Sequence, residues 1–265
     1  ILEERNFPVE NIVPLGRARS VGREVSYRDE RIPIVELESF DFGGMDFCFF
    51  SAGADISSKF VPIATEQGAI AIDNTSAFRY EDDVPLVVPE VNADALVSYT
   101  TRNIIANPNC STIQLVVALA PIHKIARIKR INVATYQSVS GAGRQSVELL
   151  NQQIEANLND IDGSWEQLFA FNVVPQIDAF QENSFTKEEM KLVWETQKIL
   201  NDYDVLVNAT AVRVPVKVGH AEAVNIETEI GITPDQVKEI LSQSQGIQVI
   251  DDVSKSSYPT PRTHG

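Results

Sequence analysis

Short apolar runs alternate with helical stretches through the first hundred residues, and this alternation constrains the fold more than any other feature of the chain. Phe47–Ser51 (Phe-Cys-Phe-Phe-Ser) is a continuous apolar run, as in a strand buried on both faces. It ends in Ala52-Gly53-Ala54-Asp55, Ile56–Gln67 has helical spacing, and Gly68 stops that helix. Asn11–Leu15, Ala69–Asp73 and Leu86–Val88 read as further strands, and Ile104-Ile105 is a β-rich apolar pair. Such βαβ grammar implies an α/β fold built on a doubly wound parallel sheet. Ligands in such sheets sit at the carboxyl ends of the strands. Ser51-Ala52-Gly53, Asn74-Thr75-Ser76 and Asn107–Cys110 all lie at such ends.

The second half has a different rhythm. After a helix from Ser111 to about Ala126 come a strand, Ile131–Val139, the turn Ser140-Gly141-Ala142-Gly143, and a long helix from about Arg144 to Asn157. A less regular stretch runs to about Thr186. Lys187–Leu200 and Pro234–Gln243 read as helices, and Val205–Val218 and Ala223–Ile230 as strands. Strands joined by long excursions suggest an α+β domain with a mostly antiparallel or mixed sheet. The expected division is residues 1–109 and 110–265, which places Cys110 at the domain junction, a favoured place for active sites. The tail from Tyr258 to Gly265 reads as turn-like.

Charge narrows the range of partners. With 22 basic and 37 acidic side chains the net charge is −15, which disfavours nucleic acid and anionic membrane as ligands. An anionic ligand must be met by a few locally placed arginines or lysines. Two cysteines, Cys48 and Cys110, are a sparse pair that suits a reducing, cytoplasmic compartment. No apolar run reaches the roughly 18 residues of a membrane span. Ile1 starts inside a helix-like stretch, so the chain reads as a fragment.

Five segments carry candidate chemistry. In Asn107-Pro108-Asn109-Cys110-Ser111-Thr112 a tight turn leads into a helix with Ser111 and Thr112 as start residues. Cys110 is then expected at a helix N-terminus, where unpaired N–H groups and the dipole lower a thiol pKa. Taken alone, a lone cysteine in a turn is more often a small buried hydrophobe. Arg17-Ala18-Arg19-Ser20 follows the first strand and has two arginines and no acid, as a 2′-phosphate of NADP would require. Tyr136–Gly143 puts the amide of Gln137 at a strand end before two glycines. Glu188 and Lys191 share a helix face. Arg213-Val-Pro-Val-Lys-Val-Gly-His220 supplies a guanidinium and the histidine suited to acid–base work with a thiol. Of the remaining histidines, His123 reads as a solvated helix-face residue and His264 lies in the tail. Cys48 reads as core, and Arg79 is a lone cation in a strand-end loop.

Together these residues resemble the bacterial-type aspartate-β-semialdehyde dehydrogenases over nearly the whole chain. The specific parts are Asn107-Pro108-Asn109-Cys110-Ser111-Thr112, Gln137 with Ser140-Gly141-Ala142-Gly143-Arg144, Glu188-x-x-Lys191, and Arg213-Val-Pro-Val-x-x-Gly-His220, in that order. The resemblance implies a Rossmann-like NADP-binding domain, then an α+β catalytic and dimerisation domain. It casts Cys110 as the nucleophile that forms a thioester, His220 as the acid–base group and Gln137 as an orienting residue. It casts Arg213 as the clamp on the substrate α-carboxylate and Glu188 as the contact for its ammonium. Arg79, Asn109 and Lys191 become phosphate contacts, and Arg19, Ser20, Ser140 and Gly141 become NADP contacts. No metal is implied. The family's N-terminal glycine-rich loop and its C-terminal segment have no counterpart here.

The implied reaction is NADPH-dependent reductive dephosphorylation of L-aspartyl-4-phosphate to L-aspartate-4-semialdehyde and phosphate, a step toward lysine, threonine, methionine and diaminopimelate. The implied assembly is a homodimer. The nearest rival is N-acetyl-γ-glutamyl-phosphate reductase, which typically has glycine where this chain has Asn109. Glyceraldehyde-3-phosphate dehydrogenase fits less well, because its cysteine motif and histidine spacing differ. A non-catalytic dimerising paralogue should have lost the cysteine or the histidine, and both are present.

Overall fold

The computed structural model describes residues 1–156 and 167–264. The far end of the helix expected to reach Asn157, and part of the irregular stretch before Thr186, lie outside the described residues.

The first unit opens with β1 (Leu15–Gly16), a hairpin of β2 (Glu24–Tyr27) and β3 (Glu30–Pro33), and β4 (Val35–Glu36). Its centre is β5 (Phe47–Phe50), α1 (Ala54–Glu66), β6 (Ile70–Asp73), α2 (Pro89–Asn92) and β7 (Ile104–Ala106). Strands β5, β6 and β7 form the expected parallel sheet, in that order. The strand expected at Leu86–Val88 is a single parallel bridge, Leu86 to Ala106, on the outer side of β7. β1 is shorter than expected and pairs in parallel with β4. The β2–β3 hairpin has no counterpart in the sequence expectation. It turns on Arg28 and Asp29, both left-handed (φ 46° and 64°), without the Asn-Gly pair that usually announces such a turn. Phe60, Val61 and Ala64 of α1 pack on this sheet with Phe50, Ala71, Ile104 and Ala106.

The second unit comprises α3 (Cys110–Ala126), β8 (Ile128–Gln137), α4 (Arg144–Glu155), α5 (Lys187–Leu200), β9 (Leu206–Arg213), β10 (Ala221–Thr228), α6 (Pro234–Ser242) and α7 (Pro261–His264). The turn-like tail contains one helical turn, α7. The sheet is mixed, as expected: β8 is central, parallel to β9 and antiparallel to β10. β9 stops at Arg213 because Pro215 has no N–H to extend a ladder. Along β8, Ile131, Val133, Thr135 and Gln137 are buried while the residues between them are not, the two-residue period of a strand with one covered face.

Helix α3 belongs to both cores. Val116 packs in the first, and Leu115, Leu119 and Ile122 pack in the second. A helix apolar on more than one face is a central helix. Its first residue is Cys110, so the fold sets this thiol where the two units meet.

Candidate active site

Asn109 caps α3, in place of the expected Ser111 and Thr112. Its Oδ1 accepts the Ser111 N–H at 3.0 Å. Its Nδ2 donates to Glu188 Oε1 at 3.0 Å, and its main-chain N–H donates to Glu195 Oε2 at 2.7 Å. Ser111 and Thr112 are fully buried, and the Thr112 hydroxyl has no hydrogen-bond partner. The turn that carries Cys110 is thus gripped by α5 through Asn109.

Cys110 Sγ lies 3.2 Å from His220 Nε2. On the other side of the ring, His220 Nδ1 accepts the main-chain N–H of Ser138 at 3.0 Å, with Ser138 Oγ at 3.1 Å. A main-chain N–H can only donate, so the neutral ring carries its proton on Nε2, facing the sulfur. Burial, and then the nearby Arg213 charge, push the His220 pKa down and favour this neutral form.

The thiol itself departs from expectation. Burial raises the Cys110 pKa, the Glu188 charge raises it further, and hydrogen bonds from Ser111 and the Cys110 N–H only partly offset this. The helix start is present, but burial of the thiol, and then the Glu188 carboxylate near it, outweigh its effect.

The far wall is built by strand register. Gln137 and Arg213 are paired neighbours at the ends of β8 and β9. Both side chains are buried, at 1% and 7% exposure. Arg213 Nη1 donates to the Ser138 carbonyl at 2.7 Å. Gly141 fits closely against this pair: a Cβ there would lie 3.1 Å from Arg213 Nη1 and 3.3 Å from His220 Cε1. Gln137 hydrogen-bonds Glu188 and Thr135. Burial tends to raise the Glu188 pKa, but the Lys191 charge and hydrogen bonds from Lys191, Asn109 and Gln137 overcome it and keep the carboxylate ionised. Lys191 Nζ sits between Glu188 (2.8 Å) and Asp178 (3.0 Å).

Cys110, His220, Gln137, Arg213, Glu188, Lys191, Asn109, Ser140 and Gly141 therefore form one connected cluster. Arg79 joins it indirectly, through Glu195. Ser140 is tied in by its Oγ, 2.9 Å from Ser138 Oγ. Arg19 and Ser20 stand apart in a 3₁₀ turn (Ala18–Ser20) after β1, with Arg19 exposed. No hydrogen bond or ion pair among the described residues links them to the cluster.

Sequence reasoning missed three groups. Glu195 is fully buried and touches both Arg79 and Asn109. Its signal was spacing, seven residues after Glu188 and so on the same helix face. Glu222, on β10 two residues past His220, is hydrogen-bonded to Gln114 and its carboxyl is raised to about 7 by burial. Its Oε1 has no hydrogen-bond partner. His123 is not a solvated residue: its Nδ1 accepts the Ile128 N–H at 3.1 Å and Nε2 lies 3.6 Å from Asp202. Cys48 packs against the first core as expected, and neither cysteine is in a disulfide.

A cysteine in contact with a histidine, set between a parallel-sheet unit and a mixed-sheet unit, is the arrangement expected of the semialdehyde dehydrogenase class. Two family models agree. The semialdehyde dehydrogenase NAD binding domain matches residues 1–99, and the semialdehyde dehydrogenase dimerisation domain matches residues 119–264. Among curated proteins, the chain is 49% identical to aspartate-semialdehyde dehydrogenase of Legionella pneumophila, over 98% of this chain and 76% of that protein. It is 51% identical to the enzyme of that name from Shewanella violacea, over 99% of this chain and 78% of that protein. The crystal structure of aspartate semialdehyde dehydrogenase II complexed with ASA from Vibrio cholerae superposes with a TM-score of 0.94 at 48% identity, covering 98% of this chain and 77% of that one. The chain belongs to the aspartate-semialdehyde dehydrogenase family. Its first unit is accordingly a nicotinamide-cofactor domain. No described helix is long and apolar enough to cross a membrane.

Proposed function

We propose that the chain reduces L-aspartyl-4-phosphate to L-aspartate-4-semialdehyde with release of phosphate, by way of a thioester on Cys110. The observation that carries this is the Cys110 Sγ to His220 Nε2 contact of 3.2 Å, with Arg213, Gln137 and Glu188 around it. Covalent catalysis needs a sulfur nucleophile with a proton-handling partner in reach.

The Cys110 sulfur attacks the acyl carbon, a C–S bond forms, the C–O bond to phosphate breaks, and the thiol proton leaves with the phosphate. NADPH, when bound, supplies the hydride that takes the thioester to the aldehyde level. His220 Nε2–H donates a hydrogen bond to the oxygen that becomes negative, and then to the thiolate as the C–S bond breaks. Arg213 suits the substrate α-carboxylate, because a guanidinium meets a carboxylate through two parallel hydrogen bonds. Glu188 suits the ammonium, Gln137 orients the acyl group, and Arg79, Asn109 and Lys191 face the phosphate side. A phosphate that reaches Lys191 shares it with Glu188 and Asp178.

The residues fit a nicotinamide cofactor at the reacting end. Gly141 leaves open backbone beside His220 where a Cβ would crowd it, and Ser140 adjoins it. Arg19 and Ser20 supply an exposed cation and a hydroxyl for a 2′-phosphate, which favours NADP. Asn109 favours the aspartyl substrate: its side chain bridges the Ser111 N–H and Glu188, and glycine at this position makes neither bond. The domain division at residues 109/110 is supported by the first residue of α3 falling between the two family-model matches. The dimerisation-domain match supports a homodimer built on the second unit. Two free cysteines suit the cytoplasm.

The test is Cys110→Ser in the full-length protein, followed by NADPH absorbance. Turnover of aspartate semialdehyde with phosphate should fall by roughly 10³-fold or more. Near-normal turnover in the variant refutes the nucleophile. Wild-type activity only with N-acetylglutamate semialdehyde moves the chain to the glutamyl reaction, and silence with both substrates favours a scaffold.

A further inference from the structure

We infer that Glu195 is a positioning residue for the phosphate side of the site, acting at once on Arg79 and on the main chain at the nucleophile. The inference rests on the proposed role of Arg79 as a phosphate contact.

Glu195 is fully buried in the middle of α5, and Arg79 is 7% exposed. The two carboxylate oxygens have different tasks. Oε1 accepts from Arg79 Nη1 at 3.0 Å, with the Tyr80 hydroxyl at 3.4 Å. Oε2 accepts the main-chain N–H of Asn109 at 2.7 Å, one residue before Cys110. Arg79 has a second tether, Nη2 to the Asn74 carbonyl at 3.0 Å, while its buried Nε has no partner. A clamped guanidinium with donors to spare suits a phosphate, whose oxygens accept several hydrogen bonds.

Stability alone does not account for this arrangement. A buried ion pair is often no better for the fold than an apolar pair of the same volume. What the carboxylate provides that an apolar residue cannot is a fixed distance between a cation from the first unit and the turn that carries the thiol. On the same face of α5, Glu188 holds the Asn109 side chain while Glu195 holds its main chain. The helix thereby fixes Asn109 at two points, and through Glu195 brings Arg79 into register with them.

Glu195→Gln tests this. A carboxamide has one oxygen and one NH2, so either the Asn109 N–H or the Arg79 Nη1 would meet a donor instead of an acceptor. In the full-length enzyme, run in the phosphorylating direction with aspartate semialdehyde and inorganic phosphate, the KM for phosphate should rise about tenfold. That is the loss expected for one charge-assisted hydrogen bond. The KM for aspartate semialdehyde should stay within about twofold, because Arg213 and Glu188 are not touched by Glu195. A purely structural role would lower the amount of folded enzyme without splitting the two constants. Should Glu195→Gln not fold, Glu195→Asp keeps the charge but is one methylene too short to reach both partners, and the same split is expected. A phosphate KM within about twofold of wild type in the variant that folds, or an equal rise in both constants, overturns the inference. Absence of wild-type turnover with these substrates overturns the proposed function, and the inference with it.

Discussion

Replacing Gly141 by alanine adds one methyl group to the gap between Arg213 and His220. The new carbon would lie 3.1 Å from Arg213 Nη1, 3.3 Å from His220 Cε1 and 3.4 Å from His220 Nε2. The first contact is too close, so the neighbours must move by a few tenths of an ångström. Neither is free to do so. Arg213 is held to the Ser138 carbonyl at 2.7 Å, and His220 to the Ser138 N–H at 3.0 Å and Cys110 at 3.2 Å. Backbone strain does not complicate the experiment, because Gly141 is not among the glycines with positive φ. Overpacking of this kind costs about 1–3 kcal/mol. A misplacement of about 1 Å in an active site costs on the order of 10²-fold in rate, so a few tenths should cost roughly 3- to 10-fold in kcat. Steady-state kinetics measures that loss. The rate of Cys110 alkylation by iodoacetamide in cofactor-free enzyme reads the His220 contact separately, and should also change, by about threefold or more. If kcat and the alkylation rate both stay within about twofold of wild type, the packing argument is wrong.

Two further outcomes follow from the charges in the site. Glu188→Gln removes a charge that raises the Cys110 thiol, so at pH 7 iodoacetamide should label Cys110 about 3- to 10-fold faster even as turnover falls. An unchanged or slower rate removes Glu188 as a cause. Glu222 carries a folded-state pKa of about 7 against a reference of 4.5, so the folded chain binds more protons than the unfolded one across that interval. Its contribution therefore weakens as pH rises from about 4.5 to 7, by at most about 3 kcal/mol. Glu222→Gln should remove that slope, raising the melting temperature at pH 8 relative to wild type and changing it little at pH 4.5. Equal shifts at both pH values would count against a buried, protonated Glu222.

Local chemistry made much of this protein readable in advance. The β5 strand and the helix after it follow from an apolar run, helical periodicity and a glycine stop, which act over a few residues. The burial expected on both faces of β5 is not met, since Phe47 and Phe49 are exposed and Phe50 alone is buried. Helical spacing also foretold that Glu188 and Lys191 meet, and their 2.8 Å contact lies within one turn of α5. His123 shows the limit. Its place on α3 was predictable, but its ring caps the N–H of Ile128 and faces Asp202 across a turn that periodicity does not describe.

By itself the sequence determined the parallel-sheet unit, the mixed-sheet unit and a cysteine at a helix start between them. Those outcomes depend on hydrophobic pattern and turn residues close in the chain. Only the tertiary structure decided the state of the site. The Cys110 pKa is raised rather than lowered because the fold desolvates the thiol and, second, because α5 brings the Glu188 charge near it, and the proton of His220 faces the sulfur because the Ser138 N–H occupies Nδ1. Glu195 reached Arg79 and Asn109 for the same reason: electrostatics and hydrogen bonds act between groups that folding brings together, whatever their separation in sequence.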